Sequence, residues 1–79
     1  MNVYEEWLTA WFDRRSPLVE LTPETNFFTA DAIDSFGVIE LIEEIEEQFS
    51  VTFVQEDFQD PRFVTIQGLA ELIMEKTDK

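Results

Sequence analysis

The chain has 79 residues, and eighteen Asp and Glu stand against five Lys and Arg, for a net charge of −13 with no His and no Cys. So negative a balance excludes nucleic acid and anionic membrane surfaces as partners, because phosphate is bound through neutralisation by Lys and Arg. Without thiol or imidazole there is no cysteine or histidine catalysis, haem ligation, usual zinc site or disulfide framework, and a domain this small points to a carrier, an adaptor or a regulatory module rather than a catalytic cleft.

The charge does not imply disorder. The hydrophobic fraction is 44% and the aromatic fraction 14%, well above what low-hydrophobicity disordered chains carry. A domain of this length buries only about 60–65% of its unfolded surface, so its core has to be rich in large side chains; eight Phe and two Trp supply it. No apolar run approaches the roughly 18 residues of a membrane span, and Glu5 and Glu6 spoil a secretory leader. The expectation is a soluble, cytoplasmic, monomeric single domain over residues 1–79.

A first helix is expected over residues 2–13. Val3, Trp7 and Trp11 recur every four residues, with Tyr4, Leu8 and Phe12 one step over, a wide aromatic stripe at helical spacing. Asp13-Arg14-Arg15-Ser16-Pro17 ends it, since Pro17 disfavours helical geometry at Ser16 and arginines suit a helix C-terminus. A long connection to Ile33 follows, with one short helical turn expected at Thr22-Pro23-Glu24. Leu18, Val19, Leu21, Phe27, Phe28 and Ile33 are expected to tie it down, because long connections without regular structure are functional or held by their own side chains.

A second helix is expected from Ser35 to Phe49, capped by Asp34. Val51-Thr52-Phe53-Val54 has strand propensity but no partner strand, and is read as an extended linker. Asp60-Pro61-Arg62-Phe63 has the cap-then-proline order that opens a single turn. The last helix runs from Ile66 to Lys76, capped by Thr65, with Ile66, Leu69, Ala70 and Ile73 facing inward. The architecture is all-α: a small up-and-down bundle of three main helices plus one short helix, with a long first loop.

The second helix is the informative one. At 100° per residue, Val38, Leu41, Ile42, Ile45 and Phe49 fall within about 100° of arc and form its core face. Phe36, Ile39, Glu40, Glu43 and Glu47 lie opposite, so two bulky apolar residues sit among carboxylates on the face that meets water. Glu40, Glu43, Glu44, Glu46 and Glu47 have no cation among them. Like-charge neighbours three or four apart cost this helix on the order of 1–2 kcal/mol. A helix optimised only for folding would mix in lysines, whereas an acidic stripe around an apolar spot makes a docking surface for basic partners. Ser35 stands at the first turn, where free N–H groups and the helix dipole favour an anion such as a phosphate. From spacing alone, Ser35 reads first as a capping or first-turn serine, which is common.

Asp34-Ser35-Phe36-Gly37-Val38-Ile39-Glu40-Leu41, continuing through Ile42-Glu43-Glu44-Ile45-Glu46-Glu47-Gln48-Phe49, resembles the signature of acyl and peptidyl carrier proteins, in which an Asp-Ser pair opens an acidic amphipathic second helix. The order of aromatic first helix, long loop, short third helix and Thr-capped last helix is similar to that family along essentially the whole chain. The resemblance implies that Ser35 receives a 4′-phosphopantetheine arm from coenzyme A through a phosphodiester made by a phosphopantetheinyl transferase. It also implies that Asp34 presents the serine and engages the transferase's magnesium site. The arm's thiol would hold an acyl or aminoacyl group as a thioester, which explains how a chain without Cys performs thiol chemistry. Phe36, Ile39, Glu40, Glu43 and Glu47, with Glu46 beside Ser35 on the wheel, match the face that meets basic residues of partner enzymes: the transferase, a loading ligase or acyltransferase, and a downstream synthase of fatty-acid, polyketide or nonribosomal type. The chain itself is then no enzyme and binds no metal.

Some positions depart from that pattern. Glu43 stands where many fatty-acid carriers are apolar, and Phe36 replaces their commoner Leu. Glu56-Asp57-Phe58-Gln59-Asp60-Pro61-Arg62-Phe63 is longer and more aromatic, and Ala32–Phe36 with Phe58…Phe63-Val64-Thr65 is more similar to D-alanyl and other stand-alone aminoacyl carriers. The cargo is therefore open. Two other readings compete with the carrier. A calcium-binding EF-hand needs D-x-[DN]-x-[DN]-G with Glu at position twelve, and frames starting at Asp31 or Asp57 fail at nearly every ligand. An acidic protein–protein adaptor without cofactor shares every feature except the meaning of Asp34-Ser35.

Overall fold

A computed structural model describes residues 2–77; of the domain expected over residues 1–79, positions 1, 78 and 79 lie outside the described residues. Asn2 starts the first helix by accepting from the Glu5 N–H at 2.8 Å, as an N-cap side chain does. The helix α1 then runs Val3–Arg15, two residues past the expected end. Pro17 restrains Ser16 and not the arginines before it, and Arg14 and Arg15 complement the C-terminal dipole from inside the last turn. Leu8, Trp11 and Phe12 are buried, and Tyr4 and Trp7 meet Phe49 edge-on at 5.1 and 5.5 Å between ring centroids. Val3, expected on the same stripe, is exposed.

The long connection is stitched to the far side of the bundle. The Phe27 N–H donates to the Val64 carbonyl at 3.0 Å, the Gln67 N–H to the Pro23 carbonyl at 2.9 Å, and Asn26 pairs with Thr65 in an isolated antiparallel bridge. Asn26 Oδ1 also accepts from the Phe28 and Thr29 N–H groups, a local turn typical of Asn. Phe27 is fully buried with its ring 4.8 Å from Phe12, Ile33 is buried, and Val19 and Leu21 pack against the core. Two expected tethers are not tethers. Leu18 is 96% exposed and Phe28 lies at the surface against Phe27. Thr22-Pro23-Glu24 makes one turn closed by the Thr25 N–H on the Thr22 carbonyl at 3.1 Å rather than a helix, because the two threonine hydroxyls bond each other at 2.7 Å and the chain then turns away to its bridge.

The second helix, α2, spans Ser35–Phe49 with Asp34 as N-cap, as expected. Ser50 in the left-handed region ends it, φ 55°, and residues 51–54 run extended with Val51 and Phe53 buried. A five-residue helix, α3, follows at Gln55–Gln59. It lies within the stretch that the family resemblance gives to a short third helix; the cap-then-proline signal marks only the turn after it, the 3-10 turn Pro61–Val64 capped by Asp60. The signal for α3 lies at Asp57, whose Oδ2 reaches back to the Val54 N–H at 2.7 Å, a carboxylate three residues into a helix serving its start. The last helix, α4, runs Ile66–Thr77, and Thr65 Oγ1 accepts from the Gly68 N–H at 3.0 Å.

Leu8, Phe12, Phe27, Leu41, Ile45, Ile66, Leu69 and Ile73 are the fully buried centre, each worth about 1.5–3 kcal/mol of burial. The fold is the expected all-α bundle of three main helices and one short one. Cations fasten the C-terminal half. Arg62 donates to Asp60 and to Glu75, joining the 3-10 turn to α4. Lys76 donates to Asp57 at 2.6 Å and to the Thr52 carbonyl at 2.9 Å, with its ammonium 5.1 Å from the Phe53 ring centroid.

Candidate cofactor-attachment site

Ser35 is the first residue of α2 and is exposed. The capping duty that a serine could have held there belongs to Asp34, whose Oδ1 accepts from the Gly37 N–H at 2.7 Å. This cap leaves the Ser35 hydroxyl available for modification at the end of a helix whose dipole favours an anion. The first turn is held close to the rest of the molecule by Gly37. A Cβ there would lie 2.7 Å from Ile33 Cγ1, 3.1 Å from Arg15 Nε and 3.2 Å from Asp34 Oδ1, so the glycine lets the buried loop end and the cap converge behind Ser35.

Phe36 and Ile39 are exposed on α2, at 77% and 56%, while Leu41 and Ile45 are buried and Val38, Ile42 and Phe49 pack against the core. The faces thus separate as the wheel requires. The carboxylates do not behave as one set. Arg15 grips Glu40 with two N–H···O bonds of 3.0 and 3.2 Å, and the buried Trp11 donates its indole N–H to Glu44 Oε2 at 3.0 Å. The hydrogen bonds from Arg15 hold the Glu40 carboxyl below the ordinary carboxylate range and push the guanidinium up in turn. Glu46, which the wheel puts beside Ser35, is half-buried and accepts from the Phe53 N–H at 2.9 Å. Glu43 and Glu47 are exposed, and among the described residues neither has an ion-pair or hydrogen-bond partner.

Trp11 and Arg15 are the residues that sequence reasoning missed. Their signal was present: Trp11 and Arg15 are four apart on one helix, as Glu40 and Glu44 are on the next, and Trp11 meets Glu44 while Arg15 meets Glu40. Two antiparallel helices with matched four-residue spacing produce such a ladder.

A serine without catalytic neighbours, exposed at a helix start and freed from capping by the residue before it, has the chemistry of an acceptor rather than of a nucleophile working in place. The residues present fit a covalent phosphodiester. No curated protein and no solved structure matches the chain. The family model described as phosphopantetheine attachment site does match, over residues 13–73. A match over so much of the chain, coinciding with an all-α bundle, shows that the protein belongs to the phosphopantetheine-binding carrier family, whose domain is the site of a covalently attached 4′-phosphopantetheine.

Proposed function

We propose that Ser35 carries the 4′-phosphopantetheine arm and that the domain shuttles an acyl or aminoacyl thioester between enzymes of fatty-acid, polyketide or nonribosomal-type biosynthesis. The observation that supports this most directly is the division of labour at the start of α2: Asp34 caps the helix while Ser35, next to it, stays exposed. In the loading reaction the Ser35 oxygen displaces 3′,5′-adenosine bisphosphate from coenzyme A and its proton passes to the transferase, since no side chain beside Ser35 serves as base. Asp34 acts twice, holding the helix start and offering its carboxylate near the transferase's magnesium. The arm supplies the thiol that this chain lacks.

Phe36 and Ile39 form the apolar centre of the partner face, with Glu43 and Glu47 as its free charges. Glu40 and Glu46 stand at its margins, each already engaged by the fold. Basic residues of the transferase, of a loading ligase or acyltransferase and of a downstream synthase meet this face, and complementary charge acts chiefly on encounter rate and specificity. The protein works as a cytoplasmic monomer in this reading; no described helix is long and apolar enough to cross a membrane.

Intact mass after incubation with coenzyme A and a broad-specificity phosphopantetheinyl transferase tests the assignment. One phosphopantetheinyl group is gained by the native chain and none by Ser35→Ala. No gain under conditions that load a control carrier would replace this reading with a cofactor-free acidic adaptor.

A further inference from the structure

A group carried on an arm from Ser35 either folds back into the bundle or stays in water, and the packing around α2 bears on which. On one flank α1 closes the helix, through Trp11 on Glu44 and Arg15 on Glu40. On Ser35's own flank the Phe53 N–H donates to Glu46 Oε2 at 2.9 Å, joining α2 to the extended segment before α3. Behind that bond stand three rings in mutual contact. Phe53, Phe58 and Phe63 have centroids 6.3, 6.0 and 5.2 Å apart, and Phe53 and Phe63 are buried. Lys76 covers Phe53, 5.1 Å from its centroid, while bonded to Asp57.

An alkyl chain that ran along this flank from Ser35 and entered between α2 and the segment before α3 would have to break the Glu46–Phe53 bond, orphan a part-buried N–H and displace a buried ring, each of which is unfavourable. Three surface clefts are each bordered by charge: Arg15 and Asp34 beside Ala32 and Ile33 in one, Glu44 and Glu47 beside Trp7 in another, Asp57 and Lys76 beside Leu72 in a third. A long alkyl chain left in water exposes apolar surface, and a short or polar group does not.

We propose, resting on the reading of Ser35 as the attachment residue, that the Phe53–Phe58–Phe63 plug keeps the cargo outside the bundle, so that this carrier takes short or polar acyl groups of the aminoacyl and small-acyl class rather than long alkyl chains. The test loads the full chain at Ser35 from acetyl- and octanoyl-coenzyme A and compares the backbone amide resonances of Ile45, Phe53 and Phe63. Phe58→Ala is the partner variant, since Phe58 is half-exposed at 47% and its removal opens the plug from outside without touching the fully buried centre. The native chain is expected to show the same three resonances with either cargo and a melting temperature that differs by less than about 2 °C. The Phe58→Ala chain is expected to show octanoyl-specific shifts. Octanoyl-specific shifts in the native chain, or none in either protein, would overturn the proposal. Failure to load at all, visible by mass before any spectrum is taken, would instead overturn the attachment reading.

Discussion

Arg15 and Glu40 form a two-pronged ion pair across α1 and α2, with N–O distances of 3.0 and 3.2 Å, and the guanidinium carbon of Arg15 lies 5.1 Å from the Trp11 ring centroid. The acidic helix is thus supplied with a cation by its neighbour in the bundle, at a position that its own sequence leaves without one. The pair is partly exposed, where such contacts hold geometry more than they stabilise. Its consequence is for recognition: a partner's arginine at Glu40 has to displace one already there.

The carboxylates of α2 should therefore differ in their effect on partner enzymes. Glu43→Lys and Glu47→Lys are each expected to lower kcat/KM for transferase loading at low salt by about tenfold, equivalent to ~1.4 kcal/mol, with the loss shrinking as salt rises. Glu40→Gln is expected to stay within about twofold, since Arg15 already neutralises that carboxylate. Steady-state loading rates at two ionic strengths measure all three, with circular dichroism confirming that each helix is intact. Equal losses at Glu40 and Glu47, or none at any position, would refute the division.

Ile39 and Ile45 are six residues apart on α2 and answer to different selections. Ile39 is exposed and Ile45 fully buried. Ile39→Ala should lower stability by less than about 1 kcal/mol, as surface truncations do, while slowing transfer to partners. Ile45→Ala should cost about 2–5 kcal/mol through lost burial and the cavity left behind. Urea denaturation of both variants separates the cases, and a loss at Ile39 as large as that at Ile45 would place it in the core.

Most of this division was legible in the sequence because helical periodicity sorts residues by face without knowledge of what covers them. The α2 boundaries, the Asp34 cap and the Leu41–Ile45 core line follow from local chemistry alone. What local chemistry cannot assign is a contact whose second half lies far along the chain. Glu46 shares a wheel direction with Ser35, yet its partner is a backbone N–H seven residues on, beyond the helix end. Leu18 and Phe28 have the same apolarity as Phe27, but Phe27 alone lies beside the backbone bond to Val64 and against the Phe12 ring. The bounds of the short helix α3 were not legible from periodicity, because five residues are too few to show a period.

Of the two glycines, Gly68 marks the tighter approach. A Cβ there would meet the Arg62 carbonyl oxygen and lie 2.6 Å from the Arg62 Cα, and both are backbone atoms that cannot turn aside as a side chain would. Arg62 is in addition tied to Asp60 and Glu75, so the 3-10 turn has little room to retreat. Gly68→Ala is expected to destabilise by about 2 kcal/mol or more through overpacking, against the gain of roughly 0.5–1 kcal/mol that Gly to Ala gives in an open helix. Gly37→Ala is the milder change, because the first atom it meets is the movable side chain of Ile33. Thermal melts of the two variants check the order, and a Gly68→Ala chain as stable as the native one would show that the turn and α4 separate freely.

Acid should expose the pairs that fasten the C-terminal half. Burial raises the Asp57 carboxyl, but the hydrogen bonds from Lys76 and from the Val54 N–H outweigh it and leave the group below its ordinary value. Asp60 and Glu75 are lowered by their hydrogen bonds from Arg62. A carboxyl whose folded value is depressed binds fewer protons folded than unfolded, so its contribution is present above the unfolded value near pH 4 and is lost as the pH falls through the folded one. The surplus of negative charge acts the other way, since partial neutralisation relieves self-repulsion at a net charge of −13. The two effects separate in a difference measurement. Lys76→Met is expected to lower stability at pH 7 by about 1.5–3 kcal/mol, the range of a hydrogen bond to a charged group, and the gap between native and variant should close as the pH falls below about 4. Melting curves of both proteins between pH 3 and 7 provide the test; a gap that stayed constant across that range would mean that Lys76 stabilises through its packing on Phe53 rather than through the Asp57 charge.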